Sequence, residues 1–253
     1  MNQTIKFSSL QRKLLFGLSR SSLSLLISLL FLPVGVRSAL SLPDSVIAQT
    51  EQQPAATEQE ETLATAKRLF AEGWQLYKQG TAESLRQAIV KWEEALPLFQ
   101  TVGDKGWEAV VLLGIGRVYN DLGEKQKALE YYHQSLPLSQ ATGDKAGEAI
   151  TLNNIGSVYD DLGQKQKALE YYHQSLPLRQ ATGDKAGEAV TLNNIGSVYD
   201  ALGQKQKALD YYNQSLPLRQ ATGDKVGEAA TLNNIGGVYN ASHRICSFSP
   251  HRY

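Results

Sequence analysis

The stretch TLNNIGSVYD occupies residues 151–160 and returns unchanged at 191–200, and TLNNIGGVYN follows at 231–240. The copies begin 40 residues apart. Self-similarity at a period of about 20–50 residues is typical of arrays of small units, which bury their apolar faces only by stacking on their neighbours. The period therefore predicts an elongated repeat array, whose functional surface is a long face rather than a catalytic pocket.

Each unit predicts two helices. Over 146–161, apolar and small residues recur three and four positions apart, as in an amphipathic helix, which we call helix A. A second stripe predicts helix B over 165–181. Gly183 is placed to end helix B, because glycine accepts the left-handed conformation, and Asp184 is placed to cap the next helix A. Pro177 lacks a backbone donor and predicts a kink or an early end within helix B.

One set of spacings in the third unit is specific. It comprises Leu152, Ile155, Gly156, Tyr159, Ala168, Tyr172 and Ser175. On these residues the unit resembles the tetratricopeptide repeat, in the longer 40-residue form found in kinesin light chains and in many bacterial arrays. The resemblance implies an all-α fold, an α-solenoid of antiparallel helix pairs wound into a superhelix. It also implies that glycine and alanine allow close approach of the two helices and that aromatic residues fill the gap between units.

The repeat register divides residues 62–240 into four units and part of a fifth. After Asn240 a helix B is expected, but residues 241–253 read ASHRICSFSPHRY and form a non-repeat tail. This abrupt loss of register at Ala241 motivates the hypothesis that the chain is the truncated remnant of a longer array. The predicted units are 62–105, 106–145, 146–185, 186–225 and the partial unit 226–240.

Residues 1–48 are predicted to be a targeting segment. A basic start precedes an apolar run at 23–36, which is the order of a secretory signal. The run is shorter than the roughly 20 residues of a membrane span. Cleavage after Ala48 is favoured over cleavage after Ser38, so the protein is expected to be exported, periplasmic or extracellular. There are two alternatives, an uncleaved anchor in the inner membrane and an organelle transit peptide. The anchor is the only membrane contact that we expect.

The charges exclude one class of partner. The 253 residues contain 25 basic and 25 acidic side chains, but the first 48 hold mostly basic ones, so the remainder is mildly acidic. Nucleic-acid binding needs a basic patch and is therefore not expected. Residues 49–61 are polar, contain Pro54 and lack apolar periodicity, which predicts a disordered linker.

A polar stripe on helix A is the candidate binding site. By resemblance to the family, it lines the concave groove that holds an extended peptide of a partner. Asparagine suits such a groove because its amide carries both donors and an acceptor. The predicted peptide-binding residues are Asn153, Asn154, Ser157, Asp160, Asn193, Asn194, Ser197, Asp200, Asn233, Asn234 and Arg117.

Two interpretations of this stripe stay open. The paired asparagines either contact a ligand or form a hydrogen-bond ladder that holds adjacent units in register. Unit two has Leu113 in place of the first asparagine, so the asparagine rungs cover only the last three units. Asp160 and Asp200 add negative charge and Arg117 a positive end, unless all three are solvated surface. A calcium site from Asp160, Asp161 and Asp200 lacks the usual loop spacing.

No catalytic or cofactor site is expected. His133 and His173 occupy equivalent places in helix B, but Asn213 replaces them in unit four. The best-supported function is a non-enzymatic interaction scaffold for a protein or peptide partner. The alternative is a regulatory or sensor array from a longer protein with a C-terminal peptidase-like or signalling domain. Self-association through the uncovered face of the last helix A is a third expectation, which involves Leu232, Ile235 and Tyr239.

Overall fold

The computed structural model describes the backbone of residues 44–247 and the side chains of residues 56–240. Within that range the chain is helical apart from its turns, which confirms the all-α prediction. The predicted signal segment up to residue 43 and the end of the tail lie outside the described residues. The helices are α1 Asp44–Gln79, α2 Ala82–Val102, α3 Lys105–Asp121, α4 Lys125–Thr142, α5 Lys145–Asp161, α6 Lys165–Thr182, α7 Lys185–Ala201, α8 Lys205–Thr222 and α9 Lys225–Ser247.

Helix α1 begins before the repeats. Residues 49–61, for which the sequence predicts a disordered linker, lie inside this helix. Alanine, glutamate and glutamine are strong helix formers, and the missing apolar period argues against a buried face rather than against a helix. The chain divides into two compact units after Thr62, and the repeats lie in the second.

The repeats form consecutive helical hairpins, as predicted. Helix A of unit three is α5 and its helix B is α6, which packs against it. Asp184 caps α7, since its carboxylate accepts a hydrogen bond of 2.9 Å from the Gly187 N–H. Gly183 follows α6 with a φ of +70°, the left-handed conformation expected of a helix end.

Pro177 does not end helix B. Helix α6 contains this proline and continues to Thr182, so the prediction of an early end is wrong. Proline removes one backbone donor, but the remaining turn keeps its other hydrogen bonds. The end of the helix is set instead by Gly183.

A tyrosine of helix B fills the space beside a glycine of helix A. A Cβ atom on Gly156 would lie 2.7 Å from Tyr172, and one on Gly196 would lie 2.7 Å from Tyr212. No real Cβ makes such a contact, so these glycines are what allow the helices to approach. In the first hairpin Trp92 takes the place of the tyrosine and lies against Gly73. The close approach implied by the family resemblance is therefore present.

The A helices form the more closely packed side of the array. Helix α3 contacts α5, α5 contacts α7 and α7 contacts α9, whereas successive B helices make fewer contacts. The side on which the helices approach more closely is the inner side of a curved array. We call the surface that α3, α5, α7 and α9 form there the inner face.

Candidate functional site

The asparagine pairs connect successive A helices. The Asn194 amide donates through Nδ2 to Oδ1 of Asn153, at 3.4 Å, and Asn234 donates to Asn193 in the same way, at 3.2 Å. These bonds join residues 41 positions apart, one unit plus one residue. The hydrogen-bond ladder, one of the two interpretations of the asparagine pairs, is thus present. Its rungs lie on the inner face.

A threonine completes each rung. The Thr191 hydroxyl lies 3.1 Å from Oδ1 of Asn153 and 3.0 Å from the carbonyl oxygen of Gly187. A hydroxyl has one proton, so the two acceptors share it. Thr151 bonds only to the Gly147 carbonyl, at 2.8 Å, because Leu113 stands where an asparagine would be needed. The ladder therefore begins at Asn153, in agreement with the prediction that the asparagine rungs cover only the last three units.

The ladder uses only part of each amide. Oδ1 of Asn153 and Nδ2 of Asn194 are engaged, and the other polar atom of each side chain makes no hydrogen bond within the described residues. Asn153 is buried, 8% exposed, while Asn154 and Asn194 are half-buried. Asn154 has no asparagine in the preceding unit to donate to, so its whole amide is available. At the other end, Asn233 is exposed.

The acidic residues of the stripe form ion pairs rather than a bare negative patch. Asp160 accepts from Lys165 at 2.5 Å, and Asp200 accepts from Lys205 at 2.5 Å. Asp161 pairs with Lys125 of the preceding hairpin. These pairs neutralise the charge that the sequence assigned to the groove. The described residues contain no cluster of side chains arranged to hold a metal ion.

The serines of the stripe lie near the tyrosines of helix B. Ser157 is half-buried and Ser197 is exposed. Burial raises the pKa of Tyr212 to about 12, and the Ser197 hydroxyl opposes this rise. Ser157 has the same effect on the pKa of Tyr172, so each serine lies beside a tyrosine that fills a glycine gap.

Arg117 belongs to an aromatic cluster at the other end of the array. Its guanidinium lies over the Tyr77 ring, 5.3 Å from the centroid. The Tyr77 hydroxyl donates to Asp121 at 3.0 Å, and Trp74 stacks on Tyr77 with 5.4 Å between centroids. Arg117 stays exposed, so it is an anchored positive charge rather than a mobile one.

An aliphatic row that was not predicted from the sequence lies beside the amides. Val110 is 38% exposed and Ile150 is 36% exposed. Ile150 lies three residues before Asn153 and so shares its face of α5. This three-residue spacing is the signal in the sequence that indicates the row. The row gives the inner face apolar contact area.

The histidines are packing residues. His133 lies 6.2 Å from the Tyr171 ring, and His173 lies 6.1 Å from the Tyr211 ring, each across the boundary between two units. Partial burial lowers the pKa of His173. Among the described side chains, no carboxylate or thiol is hydrogen bonded to either ring.

The sequence matches one family model twice, at residues 107–181 and 147–221, and that model describes the tetratricopeptide repeat. Residues 107–221 belong to this family. The tetratricopeptide assignment and the α-solenoid fold are thus both confirmed. A comparison with curated proteins found no match.

Solved tetratricopeptide arrays share this fold. BtubC (BKLC) from P. vanneervenii has a TM-score of 0.60 and 21% identity, over 77% of this chain and 94% of that one. A Signal Transduction ATPase with Numerous Domains protein with a tetratricopeptide repeat sensor, from Pyrococcus horikoshii, has a TM-score of 0.63 and 20% identity, over 76% of this chain and 30% of that one. Nearly identical repeats of a putative kinesin light chain from Podosopora anserina have a TM-score of 0.58 and 17% identity, over 71% and 88%.

These likenesses concern the fold. A tetratricopeptide array of stacked hairpins is a scaffold for protein interaction, and the asparagine ladder lies on the inner face of this array. No helix in the described range has the length and apolar content needed to cross a membrane.

Proposed function

We propose that the array is a non-enzymatic scaffold that holds an extended segment of a partner protein against its inner face. The observation that carries this proposal is the half-used amide ladder. Each rung fixes one polar atom of an asparagine in the neighbouring unit. The other polar atom is thereby oriented before any ligand arrives, which reduces the entropy lost on binding.

The chemistry of the inner face suits a peptide backbone. A backbone presents alternating donors and acceptors, and an amide side chain offers both. Packed helices lie about 8–10 Å apart and an extended chain rises about 3.3 Å per residue, so one rung serves roughly three ligand residues. The exposed side chains of Val110 and Ile150 supply apolar contact between rungs.

The expected affinity is modest. A rung that makes one or two hydrogen bonds to the ligand contributes about 1–2 kcal/mol, so three rungs give about 3–6 kcal/mol. This corresponds to a dissociation constant of about millimolar to tens of micromolar. Near-identical units supply few distinct pockets, so specificity would come from the divergent end of the array, around Trp74 and Arg117.

Asn154→Ala tests this proposal without breaking the ladder. The Asn154 side chain makes no hydrogen bond to another described residue, so its loss should leave the melting temperature unchanged. The measurement is the binding of the full chain to an array of immobilised random decapeptides. We expect the variant to bind to fewer peptides than the wild type, with an unchanged melting temperature.

Asn194→Ala is the matched control for the ladder. It removes the donor to Asn153 and should lower the melting temperature. The double variant Asn193→Ala with Asn194→Ala should abolish peptide capture while the helical signal in circular dichroism remains. If Asn154→Ala captures peptides as well as the wild type, the asparagines serve the ladder alone.

Export is a further part of the proposal, and it rests on the basic and apolar order of residues 6–36. We propose a periplasmic or extracellular protein cleaved after Ala48. Cell fractionation with sequencing of the mature N-terminus tests it. A chain that keeps Met1 and sediments with the inner membrane would support the anchored alternative instead.

A regulatory array is the second candidate. It is favoured by the likeness to the Pyrococcus horikoshii protein, in which a tetratricopeptide repeat array is a sensor within a longer chain. Translation of the downstream DNA in all frames tests it. A peptidase-like or signalling domain there would favour this candidate, and its absence would count against it.

Self-association stays a prediction, and the exposure of two side chains on the last helix A supports it. Leu232 and Tyr239 are 49% and 51% exposed, whereas Ile235 packs against the cluster formed with α8. Light scattering across a concentration series measures it. A molar mass that stays at the monomer value would oppose it.

A further inference from the structure

Helix α9 presents a face that every earlier helix A buries. Leu232 of α9 is 49% exposed, whereas its equivalent Leu192 of α7 is 2% exposed. A Cβ atom on Gly236 would meet nothing within 4 Å, whereas one on Gly196 would meet Tyr212 at 2.7 Å. We call the surface of Ala229, Leu232, Gly236 and Tyr239 the open face.

The array shows what covers such a face. On α7 it is α8, whose Tyr212 lies against Gly196. The Ser215 hydroxyl of α8 donates to the Ala189 carbonyl at 2.8 Å, and Ala208 is fully buried beside them. The same three contacts recur between α6 and α5. The covering helix therefore presents alanine, tyrosine and serine at positions i, i+4 and i+7, on one side.

Helix α9 keeps the complementary surface. Its stretch 231–240 differs from 191–200 only at Gly237 and Asn240. Neither position belongs to the open face, which retains the glycine and the leucine that receive a helix B in α7. Residues 241–253 contain no alanine, tyrosine and serine at this spacing, so they do not reproduce the covering helix.

We propose that the open face binds an amphipathic helix of a partner protein that carries alanine, tyrosine and serine at the spacing of Ala208, Tyr212 and Ser215. The tyrosine enters the gap at Gly236, and the serine hydroxyl donates to the Ala229 carbonyl. This site is separate from the inner face and takes a helix rather than an extended segment. It reproduces in trans the packing that joins α8 to α7.

A second copy of the chain is a poorer occupant. Each helix B in the described part already packs between its own helix A and the next one, as α8 does between α7 and α9. To supply α8 in trans, another copy would have to open its own hairpin and expose Leu192 and Tyr212, which are both 2% exposed. A helix that is not already packed incurs no such loss.

The test uses a synthetic peptide with the sequence of residues 203–222 and an N-terminal fluorophore. Fluorescence anisotropy follows its titration with the full chain. We expect saturable one-to-one binding to the wild type and a roughly tenfold or greater loss with Gly236→Ala, because the new methyl group occupies the tyrosine gap. Gly237→Ala is the matched control: the same change, one residue on, also in open space, should leave binding unchanged.

Peptide variants complete the test. Tyr212→Ala in the peptide should abolish binding, whereas Gln214→Ala, at an exposed position of α8, should not. Asn154→Ala in the chain should leave peptide binding intact, since it alters only the inner face. Equal binding by wild type and Gly236→Ala, or no binding up to about 1 mM peptide, overturns the proposal. A stable dimer that the peptide fails to dissociate also overturns it, since a second copy then holds the open face.

Discussion

Equivalent glycines of the A helices occupy opposite environments. Gly196 touches the Tyr212 ring so closely that any side chain would overlap it, whereas Gly236 faces open space. Neither has a positive φ, so backbone conformation does not require glycine at either place. Glycine is required only where a neighbouring helix packs against it, which is the case at Gly196 and not at Gly236.

The first prediction is that the same substitution has opposite signs at these two positions. Gly196→Ala should destabilise the chain by about 1–3 kcal/mol because the methyl group overpacks the contact with Tyr212. Gly236→Ala should stabilise α9 by about 0.5–1 kcal/mol because alanine has the higher helix propensity. Urea denaturation followed by circular dichroism measures both. Destabilisation by Gly236→Ala would show that the open face is covered in solution.

The boundary between units three and four contains a buried arginine. Arg179 is 8% exposed and its Nη1 donates to Asp184. Its Nε has no hydrogen-bond partner among the described atoms. At the preceding boundary the equivalent residue is Ser139, which is also buried. The aspartate is thus a helix cap at both boundaries and the partner of a buried cation at one.

The second prediction compares these two caps. Asp144→Ala should cost about 1 kcal/mol, the usual value of an N-cap. Asp184→Ala should cost about 1–3 kcal/mol more, because it also leaves the buried Arg179 guanidinium without its acceptor. Chemical denaturation gives both free energies of unfolding. Equal losses would mean that Arg179 finds another acceptor or reaches water.

At the scale of the helix, α7 and α9 show how packing rather than sequence sets local stability. Residues 191–200 of α7 and residues 231–240 of α9 are identical at eight of ten positions. Helix α7 is covered on both sides by B helices, whereas in the described part of the chain α9 packs mainly on α8 and, to a smaller extent, on α7. A helix in water depends on tertiary packing for most of its stability.

The third prediction concerns the order in which the helices open. Amide hydrogen exchange should be faster throughout residues 229–239 of α9 than in residues 189–199 of α7, since local opening of α9 exposes less apolar surface. Mass spectrometry of peptic fragments measures this. The partner-type peptide of residues 203–222 should slow exchange in α9 and leave α7 unchanged. Equal protection in the two helices without peptide would contradict the prediction.

At the scale of the molecule, the array is a sum of hairpins and boundaries, each in contact only with its neighbours. Because the stability of the array is approximately the sum of these contributions, a change in the protonation of a group at one boundary changes the stability of the whole array. The pKa of Asp184 is lowered, chiefly because the Gly187 N–H donates to it and then because of Arg179. The pKa of His173 is lowered because partial burial disfavours the imidazolium.

The fourth prediction is that the chain loses stability in two stages on acidification. Both groups bind a proton less readily in the folded chain than in the unfolded one, so falling pH favours unfolding. The His173 contribution is lost as the pH falls below the ordinary value of about 6.5, and the Asp184 contribution is lost below about 3.9. Melting temperatures across this range measure both stages.

His173→Asn should remove the upper stage and leave the lower one. Asn213 already occupies the equivalent position in unit four, so the fold accommodates the change. An unchanged upper stage in this variant would assign it to another histidine.

Local signals predicted the helices well. The ends at Gly183 and the cap at Asp184 depend on contacts within a few residues, and the structure contains both. The close approach at Gly156 was implied by the family pattern. The early end predicted at Pro177 was wrong, because one lost hydrogen bond does not outweigh the rest of a packed helix, and a kink there stays a prediction.

Spacing along the chain was enough to predict the period and the helix pairs, because both depend on contacts within a few residues. The glycine gaps were implied by the family resemblance, since they depend on the helix packed against each glycine. The stacking of the hairpins decided the partners of the polar stripe. Asn153 meets Asn194 across 41 residues, and Arg117 meets Tyr77 across the first boundary. It likewise decided that Leu232 lies exposed while the equivalent Leu192 is buried. Contacts between units depend on how the hairpins stack, and identical residues then acquire different roles according to whether a neighbouring helix covers them.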